Sequence, residues 1–326
     1  GYFTPKYTLT NFSVFLAQTI HPSFMSVHRS LQKMTQLGIL NYTMYINYTK
    51  LGLTPYLIEH PSFSLKQSEN EFIMLDVFAG TKKFVIQLVP LEHKELIQNI
   101  HFNFIPLKYF RTFWNFTGYD SKQLNFPETL EELQFETPES FVFPRPWGIS
   151  INYQDNVPVS FTKLDLKIIH WLTTGISNQT IAEYFKVREK IQPPHVQSRI
   201  NLLLEEKILY PYFHTHYIGL NSMAFVLFKG EWNKVRLLEG LVRFMINAHC
   251  YYGKKDAQEV LFVIALMPSA WQYPFHLMIQ RLRQSSFDNL QFGWCICSET
   301  RRLPLLRLWN DEEQCWISNI TQKKKK

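Results

Sequence analysis

The chain has 326 residues, of which 46% are hydrophobic, 16% aromatic and 19% charged; this is enough apolar surface for more than one core and excludes a chain disordered by composition. Its formal net charge of +7 favours an anionic partner such as nucleic acid. No window approaches the roughly 18 apolar residues of a membrane helix and no signal peptide opens the chain, so the expectation is a cytoplasmic protein with no membrane partner.

Residues 1–53 contain TLTNFSVFLAQTIHPSFMSVHRSLQKMTQLGIL, which supplies two helices. Val27, Leu31 and Met34 form the inner stripe of the second of these at helical spacing. Ser26, His28, Arg29, Gln32 and Lys33 make its polar and basic outer face. Residues 54–140 follow with four strands, TPYLIEHPSF, FIMLDVFAG, KKFVIQLVP and IPLKYFRTFWNF, and a helix at LEHKELIQNIHF. Residues 141–160 are rich in proline and polar residues, lack helical period and read as a linker.

Residues 161–218 are the clearest stretch. Leu164, Ile168, Ile169 and Leu172 form one helical stripe, and Gly175 can end that helix in the left-handed conformation. Ser177 can cap the next helix, whose first turn is Asn178, Gln179 and Thr180. Pro193-Pro194 start a third, with Val196, Ile200 and Leu203 inward and His195, Gln197, Ser198, Arg199 and Asn201 outward. Three helices with a tight glycine turn and a following hairpin predict a winged helix-turn-helix. The outward side chains on its third helix are of the kinds that read base edges, and the exposed N–H groups at Asn178–Thr180 favour a phosphate. Arg199 has Glu205 and Glu206 nearby as alternative ion-pair partners. As a base reader, its loss is expected to weaken DNA binding by roughly 1–3 kcal/mol.

Residues 219–310 parse as strand, helix, strand, strand, helix, strand: SMAFVLFKG, NKVRLLEGLVRFMINA, AHCYYGKK, EVLFVIALM, FHLMIQRLRQ and LQFGWCICSE. This is a split βαβ order, a ferredoxin-like βαββαβ sheet with helices on one face and an apolar face left for another sheet. Residues 311–326 are a basic tail. The four cysteines show no zinc spacing and read as reduced core thiols.

The chain repeats itself. FVIQLVP at 84–90 returns as FVIALMP at 262–268, Ile39-Leu40 as Ile208-Leu209, and Gly52-Leu53 as Gly219-Leu220. The expected fold is therefore α+β, in two tandem units, each a winged helix-turn-helix followed by a ferredoxin-like βαββαβ domain. In the first unit an equivalent of the helix at Leu164–Leu172 would precede residue 1, so the expectation is either a truncated chain or a degenerate first copy.

On KLDLKII, ISNQTIAEYFKV, HVQSRINLLLEEKIL and YYGKKDAQEVLFVIALMP, the chain resembles the Lrp/AsnC (feast/famine) transcription regulators. The resemblance implies transcription control on double-stranded DNA, an intramolecular pseudo-dimer or homodimer formed through the sheets, and an amino-acid effector. The family's glycine and acid fall on Gly253 and Asp256, while the first copy has Gly80 but Lys83 in place of the acid. A plain hairpin turn is the other reading of Gly253 and Asp256. A fused, diverged pair should read an asymmetric DNA site or use one helix-turn-helix for another task.

Two other functions fit the same pattern. The architecture also resembles the sirohaem decarboxylases, which place histidines near a tetrapyrrole; His214, His216 and His249 are the histidines in question here. The alternative is an adaptor whose winged helices meet protein in the transcription machinery. No Ser/His/Asp grouping, phosphate loop or metal motif is present, so neither an enzyme nor a cofactor is the first expectation.

Overall fold

A computed structural model of the chain describes residues 23–37, 40–60, 72–79, 82–93, 104–114, 148–154, 157–215, 219–243, 245–285, 287–295, 297–300 and 303–317. The first helix expected at the start of the chain, residues 94–102 of the helix expected at 91–102, residues 141–147 and 155–156 of the expected linker, and the lysines at 323–326 lie outside these residues.

The described elements begin with α1 (Phe24–Gln36), β1 (Leu40–Ile46), β2 (Leu53–His60), β3 (Ile73–Ala79), β4 (Lys82–Pro90), β5 (Phe104–Trp114) and β6 (Ser150–Asn152). Three helices follow, α2 (Lys163–Leu172), α3 (Asn178–Arg188) and α4 (Pro193–Glu205), and then β7 (Leu209–Thr215). The remainder is β8 (Ser222–Gly230), α5 (Trp232–Val242), β9 (Asn247–Lys255), β10 (Gln258–Met267), α6 (Gln272–Ser285), β11 (Gln291–Trp294) and β12 (Cys297–Thr300). A short C-terminal helix, α7 (Leu305–Leu308), leads to a small hairpin, β13 (Trp309–Asn310) and β14 (Cys315–Trp316).

The tandem pair of separate winged-helix and βαββαβ units is not what the chain forms. One continuous antiparallel sheet runs in the order β11-β8-β10-β9-β5-β2-β4-β3-β12 and curls into a half-barrel. The reason lies in β5. Its first residues, Phe104–Pro106, pair with β2, but Leu107–Trp114 cross to β9, with a register shift between Leu107 and Tyr109. The segment 291–300 does the same: β11 pairs with β8 and β12 with β3. Strand edges that would have bounded two separate sheets are thus hydrogen-bonded to each other. The same strand order does appear on both sides of the seam, β5-β2-β4-β3 and β11-β8-β10-β9.

The wings are also different from expectation. Neither β1 nor β7 forms a hairpin of its own; they pair with each other, from Leu40 opposite Thr215 to Ile46 opposite Leu209. Asn47, fully buried, secures this ribbon: its N–H donates to the Ile208 carbonyl at 2.8 Å and its amide to the Lys207 carbonyl at 3.3 Å. The Thr43 hydroxyl donates to the Thr173 carbonyl at the end of α2.

Alternation along the strands divides two cores. In β10, Val260, Phe262 and Ile264 face the concave side, whereas Leu261, Val263 and Ala265 face α5 and α6. A strand buried on both faces reads as one apolar run, which is why EVLFVIALM is so hydrophobic. The curl brings the duplicated lines together: the rings of Phe84 and Phe262, equivalent positions in FVIQLVP and FVIALMP, lie 5.2 Å apart. Phe84 also meets Phe225 at 4.7 Å. At the seam, Phe110 stacks on Tyr45 of the ribbon at 4.6 Å and packs on Tyr251 at 4.8 Å. On the convex side Glu239 of α5, buried, receives Arg111 of β5 and Arg243 at 2.9 and 2.7 Å.

Tyrosines fill the space between ribbon and sheet. Burial pushes the phenols of Tyr45, Tyr153 and Tyr251 well above their ordinary value and that of Tyr212 up to about 12. The Tyr212 hydroxyl and His249 Nε2 are 3.1 Å apart, joining ribbon to β9. These groups titrate near pH 10 when unfolded. Raised native values mean the unfolded chain loses the protons first as pH rises, so stability is intact below about pH 10 and falls above it. The urea midpoint is expected to decline steadily from about pH 10 toward 12. An unchanged midpoint across that window would argue against the buried phenols.

Candidate nucleic-acid interface

The helical unit is built from local signals that the chain carries plainly. Thr162 caps α2 in a reciprocal box: its hydroxyl accepts from the Asp165 N–H, and the Asp165 carboxylate accepts from the Thr162 N–H at 2.7 Å. Gly175 sits at φ 79° after α2, and the Ser177 hydroxyl accepts from the Thr180 N–H at the start of α3. Ile168, Ile169, Leu172, Ile181, Phe185, Val196, Ile200 and Leu203 are buried together beneath the three helices. Pro193 and Pro194 open α4.

This packing leaves polar side chains exposed on α4 and at the start of α3. On α4, His195, Gln197, Ser198 and Asn201 are exposed, and the Gln197 amide donates to Asn201 Oδ1 at 3.0 Å. At the start of α3, Gln179 and Thr180 are exposed and Asn178 is half-buried. Exposed Lys163, Lys186, Arg188, Lys190 and Lys207 outnumber the exposed Glu183, Glu205 and Glu206 on the same unit.

Arg199 stands apart from that row. Its Nε donates to Asp165 Oδ1 at 2.8 Å and its Nη2 to Asp165 Oδ2, a fork on a carboxylate with no exposed surface. Hydrogen bonding to Asp165 holds the guanidinium above its ordinary value. The partner is neither Glu205 nor Glu206 but an acid on α2. The sequence signal for Asp165 was its place three residues after Thr162; nothing local pointed to its pairing with Arg199.

On α1, Val27 and Leu31 are buried, Ser26, Arg29, Gln32 and Lys33 are exposed and His28 is half-buried. The two polar helix faces are not adjacent. Each helix ends a few residues before its strand, and β1 and β7 are antiparallel, so α1 and α4 enter the ribbon from opposite ends. Seven paired residues separate those ends by about 20 Å.

Gly253 and Asp256 lie apart from this face. Asp256 and Ala257, at φ 48° and 68°, are the two-residue turn between β9 and β10. Gly253 lies in β9 at the crossing, where a Cβ would come within 2.7 Å of Ile105 Cγ2 and of the Pro106 carbonyl oxygen. The missing side chain is what lets β5 pass from β2 to β9. Beside the turn, a polar cleft of about 290 Å³ is lined by residues including Glu231, Lys234, Gln258 and Asp288. In the first half, Lys83 is buried in an ion pair with Asp76 at 3.2 Å; Gly80 lies outside the described residues.

Among the described residues no cluster of histidine, cysteine or acidic side chains could hold a metal, and no helix is long and apolar enough to cross a membrane. His249 meets Tyr212 as above; the His214 and His216 side chains lie outside the described residues. Comparison with family models, with characterised proteins and with solved structures finds no match to this chain.

Proposed function

We propose that the protein is a DNA-binding transcription regulator that reads double-stranded DNA with α4, supported by the N-terminus of α3. The observation that carries this reading is the row of exposed hydrogen-bonding side chains on α4. Gln197 and Asn201 lie one turn apart and already bond each other, so their amides are aligned as a pair. Such amides match the N6 and N7 edge of adenine. The exposed α3 N-terminus offers N–H groups to a phosphate, and the formal charge of +7 adds attraction to a polyanion. The polar face of α1, about 20 Å away along the ribbon, is a second contact surface of different composition, which suits an asymmetric site. The effector role for Gly253 and Asp256 has weaker support, because the β5 crossing already accounts for the glycine.

Selection from a randomised duplex pool, followed by fluorescence anisotropy on the enriched sequence, tests the proposal. Affinity is expected to fall linearly on a log–log plot against salt. Gln197→Ala and Asn201→Ala are each expected to weaken specific binding by about 1–3 kcal/mol, with non-specific binding little changed. Failure of any sequence to enrich, or binding insensitive to both substitutions, contradicts the reading.

A further inference from the structure

We propose that the outer face of α3 docks an acidic peptide segment of a partner protein, one that carries its own aliphatic or aromatic anchors. Tyr184 and Val187 are three residues apart and share a face of the helix. They are 39% and 76% exposed, and Val187 is the most exposed large apolar side chain among the described residues. Trp171 of α2 extends the patch, with its ring 4.9 Å from that of Tyr184. A folded chain that buries Ile181 and Phe185 on the opposite side of the same helix gains nothing from presenting these to water.

Charge decides the kind of partner. Lys186 and Arg188 flank Val187 on either side, and Lys190 lies one turn on; all three are exposed. Glu189 does not offset them, because Lys167 holds its carboxylate at 2.6 Å. The only carboxylate on α3 itself is Glu183. Cations at a helix C-terminus favour the helix dipole, which accounts for Lys186 and Arg188 but not for the apolar pair between them. A nucleic acid fits less well: Tyr184 has a ring partner in Trp171, Val187 has no face to stack on a base, and Glu183 repels phosphate. An acidic segment with apolar anchors satisfies both halves of the surface, in the manner of an amphipathic helix laid on a groove. Tyr184 and Val187 belong to α3, whereas the row of His195, Gln197, Ser198 and Asn201 belongs to α4.

The test uses the full chain and a short fluorescein-labelled synthetic peptide of aspartate and glutamate with leucine and phenylalanine at helical spacing. Saturable binding is expected in anisotropy, weakened about tenfold by Val187→Asp and similarly by Lys186→Glu with Lys190→Glu. Val187→Asp should leave the thermal melt unchanged, because the side chain is 76% exposed. A peptide with serine in place of leucine and phenylalanine should bind at least tenfold more weakly. The proposal is overturned by absence of saturable binding, by equal binding of the Val187→Asp variant, by equal binding of the serine peptide, or by a single-stranded oligonucleotide that competes for the same patch.

Discussion

Phe110→Ala is expected to lower the stability of the whole chain by about 3–5 kcal/mol, read as a shift in urea midpoint at constant slope. Phe110 has no exposed surface and sits where three parts of the molecule meet. Its backbone pairs with Tyr251 of β9 and Ile151 of β6, and its ring stacks on Tyr45 of the ribbon. Truncation leaves a ring-sized void bounded by Tyr45, Tyr251 and His249, none of which belongs to an element free to collapse into it. Phe110→Leu, which keeps most of the volume, should recover much of the loss. A cost below about 1 kcal/mol for the alanine variant would mean that the seam is not packed as described.

Arg199→Ala is expected to cost about 3 kcal/mol of folding stability, because it leaves the Asp165 carboxylate buried without its cation. The Thr162 N–H and hydroxyl still donate to that carboxylate and keep the loss from being larger. The effect separates from DNA reading through a double-mutant cycle with Asp165→Asn. Coupling of about 1–3 kcal/mol in the urea midpoint assigns Arg199 to the α2–α4 contact. A variant that folds with unchanged midpoint but loses sequence-specific binding would instead return Arg199 to the base-reading row. The cap and the ion pair share one carboxylate, so Thr162 and Arg199 together set the position of α2 against α4.

The helical unit was legible because its signals are local. Stripe, left-handed glycine, cap and proline start all act within a turn or two, and Val196, Ile200 and Leu203 are buried where their spacing places them. Most strands were legible for the same reason, and the repeat of FVIQLVP as FVIALMP marks two strands whose phenylalanines meet, but β6 (Ser150–Asn152) lies inside the stretch read as a linker and pairs with β5. What alternation does not encode is the neighbour to which a strand's backbone bonds. It reports the face toward which each side chain points, and β5 has the same alternation whether it stays on β2 or crosses to β9. That ambiguity produced the expectation of two separate sheets. Gly253 carried a usable hint, since glycine inside a strand marks a close backbone approach. The pairing of β1 with β7 was similarly hidden, because each strand alone looks like half of a wing. Arg199 presented two glutamates nearby in sequence, and its true partner is 34 residues away.

Differential scanning calorimetry of the whole chain tests most directly the claim that the two halves are one body joined across β5 and β9. A single cooperative transition is expected, with calorimetric and van't Hoff enthalpies in a ratio of about one. Two resolved transitions, one removing protection from amides of β2–β4 while those of β8–β10 stay protected in hydrogen exchange, would contradict it.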